Sequence, residues 1–179
     1  MSTALFAALV LATGAERIAE LVVSTRNARW SFARGGVETG RGHFGPMVVL
    51  HTGLLLACLV EVALADRPFL PALGWPMLVL AVLSQVLRWW CIGSLGRRWN
   101  TRVIVVPGMP LVTRGPYRFL KHPNYVVVVV EGFALPLVHT CWVTAAVFTV
   151  LNAVLLLGFR LPAENRALAA LPAAQRDAG

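Results

Sequence analysis

The residues in this sequence best suited to chemistry are ionisable side chains that lie within long apolar runs. Glu131 lies in the middle of the apolar run 124–138, and Arg88 lies within an earlier one. Glu16 and Glu20 stand four residues apart, so a helix would place both carboxylates on one face. Charged groups in such surroundings are costly and often mark a functional site. Glu131 is therefore our first candidate for a general base, and a buried ion pair with Arg88 is the structural alternative.

Three further residues are candidates for the same role: Glu20, His51 and His43. A hydroxyl group that acts as a nucleophile must lose its proton, and a carboxylate or an imidazole within hydrogen-bond reach accepts it. The catalytic candidates are therefore Glu131, His51 and Glu20, with His43 beside them. For Arg17 and the glutamates near it, a purely structural ion pair that joins two helices is an equally good interpretation. Glu131 is placed first because burial makes a carboxylate a stronger base, and the sequence does not rank the others.

The second chemical feature is a run of polar and aromatic residues before a predicted helix. Pro123 suits the first turn of that helix, where its missing N–H is no loss. His122 then lies at the helix entrance, where unpaired backbone N–H groups hold an anion such as a carboxylate. Tyr117, Arg118 and Tyr125 add aromatic and cationic groups that suit a ligand with a carboxylate, a sulfonium and an aromatic base. A structural helix cap explains these residues equally well when they are taken alone.

A second polar cluster follows the last apolar run. Arg160 and Glu164 stand four residues apart, so a continuous helix would bring them together, while Pro162 predicts a bend between them. A tight hairpin between the last two apolar runs would return this cluster to the level of His122. The two clusters are therefore predicted to meet on one side of the membrane, within reach of a soluble cofactor. The residues assigned to this site are Tyr117, Arg118, His122, Pro123, Tyr125, Asn152, Arg160, Glu164 and Asn165.

The composition indicates which environment surrounds these clusters. Of the 179 residues, 58% are hydrophobic and only 13% are charged, about half the usual share of a soluble domain. A soluble domain of this length leaves too much of its chain exposed to hide so much apolar surface. We therefore predict an all-α integral membrane protein with a single domain at residues 1–179. Its catalytic core is predicted at about residues 96–170.

Apolar runs at 2–24, 46–65, 72–95, 124–138 and 141–159 predict five transmembrane helices. Most of them approach the roughly 20 residues that a helix needs to cross a bilayer. The first has no basic residues before it and charged residues in its second half, so we predict a retained span and not a signal peptide. The last two leave no room for a loop and predict a helical hairpin. Prolines and glycines between 96 and 123 predict a long irregular loop, which in a compact protein is usually functional.

The basic residues predict an orientation. Segments 25–45, 96–123 and 160–179 hold four, six and three of them, thirteen of the sixteen in the chain, and five spans would place all thirteen on one side. The positive-inside rule then puts the N-terminus outside and the C-terminus in the cytoplasm, in a bacterial inner membrane. Nucleic-acid binding is disfavoured despite the net charge of +8, because the basic residues flank apolar runs. The three cysteines show no metal-ligand spacing, so no metal site is predicted.

The run 115–125, the hairpin after it, and Arg160 with Glu164 resemble the isoprenylcysteine carboxyl methyltransferase family. The resemblance implies a membrane enzyme that binds S-adenosylmethionine between this loop, the hairpin and the C-terminal segment, without a Rossmann domain. No glycine-rich turn of the Rossmann type is visible in the sequence. His122 and Tyr125 match cofactor-binding positions of the family motif. Arg160 and Glu164 match the arginine and acidic positions that close the site.

The N-terminal half resembles a narrower bacterial branch associated with type III polyketide synthases. This branch O-methylates alkylpyrones and alkylresorcinols, so the resemblance implies a lipophilic small molecule that enters from the bilayer, with membrane lipids as neighbours. In members that act on prenylated proteins, a glutamate often stands where this chain has Ala163, and Glu131 falls in a region that is usually neutral or aromatic. Carboxyl methylation of a prenylated cysteine is the alternative reaction. The sequence leaves alkyl chain length and oligomeric state open. The residues that carry this resemblance are Arg17 to Leu21, Ser24 to Asn27, Glu38 to Gly40, His43, Leu50 and His51.

A small transporter or a non-catalytic membrane scaffold is the alternative of another class. Transporters usually show inverted repeats or paired broken helices, and the sequence contains neither pattern. The concentration of polar groups on one side also disfavours a path through the membrane.

Overall fold

A computed structural model describes residues 1–171, which form a bundle of helices with a small sheet at one end. The C-terminal residues 172–179 of the predicted domain, including Arg176, lie outside the described residues. The α-helices are α1 Thr3–Phe32, α2 Phe44–Leu64, α3 Pro71–Leu95, α4 Pro123–Leu137, α5 Trp142–Leu155 and α6 Leu161–Ala169. The strands are β1 Val37–Thr39 and β2 Val103–Val105.

The first helix is longer than the apolar run predicts. It begins after Ser2, whose hydroxyl accepts a hydrogen bond from the Leu5 backbone N–H at 3.3 Å. It continues to Phe32 because neither glycine nor proline occurs between Gly14 and Gly35. Arg26 and Arg29 therefore lie on the helix and not in the predicted 25–45 loop, which is a correction to the sequence prediction. Hydrophobicity marks the part of a helix that lies in lipid and not where the helix ends.

Among residues 1–171, three helices are long and apolar enough to cross a membrane, at Arg41–Leu64, Pro71–Arg98 and Trp142–Ala169. The helix Pro123–Leu137 is apolar but shorter, and α1 carries charged residues within its apolar part. Large apolar side chains on these helices face outward, as expected of surfaces that contact lipid. The chain is thus a mostly helical membrane protein, and the count of five spans stays a prediction. Examples of outward-facing residues are Leu11, Leu56, Leu83, Val129 and Val150.

The predicted hairpin is confirmed. Helix α4 ends at Leu137 and α5 begins at Trp142, and the Cys141 N–H donates to the Pro136 carbonyl at 3.0 Å. Gly132 lets the two helices approach closely, because a Cβ there would overlap the Phe148 ring. On its other side, α4 makes its most extensive contacts with α3. The hairpin and α3 together bring distant polar residues into one bundle.

The loop after α3 contains regular structure that the sequence does not predict. Strand β2 pairs antiparallel with β1, with Val37 opposite Val105 and Thr39 opposite Val103. The fold is therefore mostly helical, as the sequence predicts, with a two-stranded sheet that the sequence does not predict. The β-branched residues favour a strand here, and the pairing needs a partner more than sixty residues away, which local patterns do not indicate. Short 3₁₀ turns at Gly96–Arg98 and Gly115–Arg118 complete the loop.

The bundle has two different ends. Segments 33–43 and 96–122 lie together at one end because β1 pairs with β2, and α6 contacts both strands. We call this the basic end. The connections 65–70 and 138–141 lie at the other end, which we call the Glu61 end. Three basic segments thus share one end, as the sequence predicts, while their placement in the cytoplasm stays a prediction.

Candidate active site at the basic end

A cavity of about 510 Å³ opens at the basic end. Its wall is formed by parts of the loop 98–113, the turn Gly115–Arg118, the start of α4 and one side of α6. Its volume lies within the range of about 300–1,000 Å³ that is usual for ligand pockets. The wall combines apolar residues of the loop with Glu164 on α6 and Arg160 just before it.

Four predicted residues form one network in the cavity wall. The His122 Nδ1–H donates to Glu164 Oε1 at 3.0 Å, and the Tyr125 hydroxyl donates to the other oxygen of that carboxylate. Arg160 Nε donates to the Tyr125 oxygen at 3.2 Å. The His122 and Tyr125 rings are stacked, with centroids 5.4 Å apart. The structure therefore brings together residues separated by about forty positions in the chain.

A wide turn at the end of α5 places Arg160 in this network. Pro162 has no N–H to continue the α-helical ladder, and residues Leu156–Arg160 form a π-helical turn before α6 begins. The predicted bend is thus present as a π turn. Arg160 is buried. Besides the Nε bond to Tyr125, its guanidinium donates through NH1 to His43 Nε2 at 3.4 Å. His43 therefore lies behind the cavity wall, where it supports Arg160.

The remaining predicted ligand residues are placed unequally. Asn165 lies 3.3 Å from His122 Nε2, and Arg118 lines the cavity. Tyr117 also lines it, and burial raises the pKa of its phenol, so the hydroxyl stays neutral. Pro123 and Asn152 are buried, at the start of α4 and on α5, and neither is among the described residues that line the cavity.

Three cavity residues were missed as ligand candidates from the sequence. Trp99 Nε1, Asn100 Nδ2 and Oδ1, and Asn124 Oδ1 are buried without a hydrogen-bond partner in the described part of the chain. Asn124 lies within the family motif, but nothing in its spacing marks its carbonyl. Trp99 and Asn100 lie in a loop without periodicity, so only the fold reveals that they face a cavity.

Comparison with known proteins identifies the family. The isoprenylcysteine carboxyl methyltransferase (ICMT) family matches residues 77–170, more than half of the chain. This chain belongs to that family. The chain is also 38% identical to the uncharacterized protein YpbQ of Bacillus subtilis (strain 168). The 154 matched residues cover 86% of this chain and 90% of that protein. No solved structure matches it.

Members of this family are methyltransferases that use S-adenosylmethionine, and the residues of this methyltransferase fit that cofactor. The carboxyl and amino groups of the cofactor require charged partners, and Arg118, Lys121 and Glu164 line the cavity. Its base and ribose require hydrogen-bonding groups, which the unpartnered atoms of Asn100 and Asn124 offer. Apolar residues of the loop supply a surface for the flat base.

A second polar cluster of this methyltransferase lies among the helices. Glu131 pairs directly with Arg88, and Arg17 NH1 lies 3.6 Å from the same carboxylate. Glu20 lies 3.1 Å from Arg17 NH2 and 3.6 Å from Arg88 NH1. The structure thus contains the ion pair that the sequence offered as the alternative role for Glu131. Glu131 as a general base stays a prediction.

His51 lies on α2 within the same bundle. Its Nδ1–H donates to the Met47 carbonyl at 2.8 Å, since a carbonyl can only accept. The neutral ring therefore carries its lone pair on Nε2, the arrangement that a general base requires. Its edge packs on Phe148 with centroids 5.3 Å apart. Within the described part of the chain no hydrogen bond engages Nε2, so His51 stays a candidate for the general base.

Proposed function

We propose that this protein transfers a methyl group from S-adenosylmethionine to an oxygen of a lipid-like acceptor. The observation that carries the proposal is the network of His122, Tyr125, Arg160 and Glu164 beside a ligand-sized cavity, at the end of apolar helices. A soluble cofactor reaches such a cavity from water, while an acceptor with an alkyl tail reaches the helices from lipid. This arrangement suits a reaction between one water-soluble and one membrane-soluble partner.

The chemistry divides between the two clusters. When bound, the sulfonium of the cofactor supplies an electrophilic methyl group, which the acceptor oxygen takes as the neutral thioether leaves. The His122 network fixes one wall of the cavity, and positioning of this kind supplies much of the rate enhancement in a displacement. The bundle interior must orient the acceptor oxygen and, for a hydroxyl acceptor, remove its proton.

Our first candidate acceptor is the hydroxyl of an alkylpyrone or alkylresorcinol. The support comes from scattered residues of the N-terminal half, several of which have defined places in the fold. Ser24 and Asn27 bind Thr101 and Trp99, on the two sides of the cavity residue Asn100, and His43 supports Arg160. His51, with a free lone pair on Nε2, suits the deprotonation that a hydroxyl acceptor needs.

The second candidate acceptor is the carboxylate of a prenylated cysteine. The observation that favours it is the engagement of Glu131 by Arg88, because a carboxylate held by a guanidinium is less free to accept a proton. A carboxylate acceptor is already ionised at neutral pH and needs no base. A hydroxyl acceptor thus requires a base such as His51, whereas a carboxylate acceptor does not.

The test is methyl transfer by the purified protein in lipid nanodiscs. Isotope-labelled S-adenosylmethionine is incubated with alkylpyrones, alkylresorcinols and prenylcysteines, and products are identified by mass spectrometry. We expect labelled O-methyl ethers from the first two classes. Labelled methyl esters of prenylcysteine alone would favour the second candidate. No product with any lipid and no cofactor binding would instead indicate a transporter or scaffold.

We also propose that the basic end faces the cytoplasm of a bacterial inner membrane. Three basic segments at one end support this orientation. Cysteines introduced at Thr3 and Gly42, both exposed, report the two ends, and the buried native cysteines give a low background. A membrane-impermeant thiol reagent added outside cells should label Thr3→Cys and spare Gly42→Cys. The reverse labelling pattern would contradict the orientation.

A further inference from the structure

We propose that the Asn100 side chain recognises the adenine base of the cofactor. The inference rests on the proposed use of S-adenosylmethionine and adds a specificity-determining residue to that site. In the cavity wall, Asn100 and Trp99 have buried polar atoms without hydrogen-bond partners among the described residues.

The Asn100 amide is the least satisfied polar side chain of the wall. Both its donor, Nδ2, and its acceptor, Oδ1, are buried without a partner among residues 1–171. Buried amides are nearly always hydrogen-bonded, since an unsatisfied one loses its contacts with water and gains none. A ligand in the cavity that offers a donor and an acceptor side by side would satisfy both atoms.

Adenine offers that pair of groups. An asparagine amide pairs with the adenine edge through two hydrogen bonds, donating to N7 and accepting from the 6-amino group. The neighbouring wall is apolar, with Val103 and Val106 buried and Leu111 beside them, which suits an uncharged aromatic base. The charged groups of the cofactor match the other part of the wall, at Arg118 and Glu164.

The cationic residues next to Asn100 do not compete for this position. Arg98 donates to the Pro110 carbonyl. Arg102 lies 3.7 Å from the Glu38 carboxylate and 4.9 Å above the Phe44 ring. Asn100 is therefore a neutral hydrogen-bonding group between two arginines that have other partners.

Helix α1 holds this part of the wall in place. Asn27 Nδ2 donates to the Trp99 carbonyl at 2.8 Å and to the Gly96 carbonyl at 3.2 Å. The Thr101 N–H donates to Ser24 Oγ at 3.0 Å. The backbone on both sides of Asn100 is thus fixed before a ligand binds, which lowers the conformational entropy cost of binding.

The test compares two ligands that differ only in the 6-amino group, from which Asn100 Oδ1 would accept a hydrogen bond. Titration calorimetry on the full chain in nanodiscs measures S-adenosylhomocysteine and its analogue with hydrogen in place of the 6-amino group. We expect the wild type to prefer the amino compound by roughly 5- to 150-fold, since the analogue leaves a buried acceptor unpaired. Asn100→Leu should bring the two affinities within about twofold of each other.

Asn124→Leu is the matched control, because it removes another amide of the same cavity. It should retain the preference for the amino compound, even if both affinities fall. Asn100→Ala gives the same readout if the leucine variant does not fold. Equal wild-type affinities, or a preference that persists in both Asn100 variants, would overturn the adenine assignment and leave the proposed function standing. A wild type that binds neither compound would end both proposals.

Discussion

Two side chains with buried polar atoms at opposite ends of the bundle, Glu61 and Asn100, differ in whether the fold itself pairs them. At the Glu61 end, the Glu61 carboxylate accepts from the Thr144 N–H at 2.8 Å, from its hydroxyl at 2.7 Å, and from the Val143 N–H at 3.3 Å. It also pairs with Arg67 at 2.9 Å. At the basic end, the amide of Asn100 has no partner in the described chain. Glu61 thus completes the fold at its end, whereas the Asn100 amide remains available for the ligand proposed above.

Glu61 is fully paired because it caps the start of a neighbouring helix. The N-terminus of α5 has unpaired N–H groups that lie near lipid, and Glu61 caps them from a neighbouring helix. The Thr140 hydroxyl also donates to the Pro68 carbonyl at 2.6 Å, which ties the two connections together. A closed end of this kind contributes stability. The unpaired Asn100 amide at the basic end makes no such contribution.

The largest effect on stability is expected at the Glu61 end. Glu61→Ala removes three hydrogen bonds to a charged group and leaves the start of α5 uncapped, so the free energy of unfolding should fall by about 3 kcal/mol. Reversible unfolding in mixed micelles measures this change. Cofactor affinity of the folded fraction should be unchanged.

Asp66→Asn is the control for this variant. Asp66 is exposed at the same end, so its substitution removes a negative charge without removing a described contact of Glu61. We expect a change within about 0.5 kcal/mol, as for other surface substitutions. Equal losses of stability in both variants would contradict a specific capping role for Glu61.

The buried cluster between the two ends gives the next largest effect. His51→Gln removes the proton acceptor but keeps hydrogen-bonding capacity, so turnover of a hydroxyl acceptor should fall by about 100-fold or more. Glu131→Gln should mainly lower thermal stability, because it weakens the ion pair with Arg88. Single-turnover rates and melting temperatures separate the two effects.

The opposite result would restore the role that the sequence first predicts for Glu131. A fall of about 100-fold in turnover for Glu131→Gln, with unchanged cofactor affinity, is the signature of a general base at that position. Normal turnover of both variants with a carboxylate acceptor would instead favour the reaction that needs no base.

The sequence predicted the elements whose signals are local. The apolar runs predicted α2, α3 and the hairpin to within a few residues, and the hairpin predicted that Arg160 and Glu164 return to the level of His122. The pairing of β1 with β2 and the exposure of Asn100 to a cavity depend on contacts between distant segments. Local periodicity contains no information about such contacts, so neither feature could be predicted from the sequence.

The most direct test of the contrast between the two ends is a paired measurement on Glu164→Ala and Glu61→Ala. Calorimetry should show that Glu164→Ala weakens S-adenosylmethionine binding by about 1–3 kcal/mol, as expected for the loss of charge-assisted contacts. His122→Ala should behave in the same way, while Glu61→Ala should bind the cofactor as the wild type does. Wild-type affinity in both Glu164→Ala and His122→Ala would contradict the placement of the cofactor at the basic end.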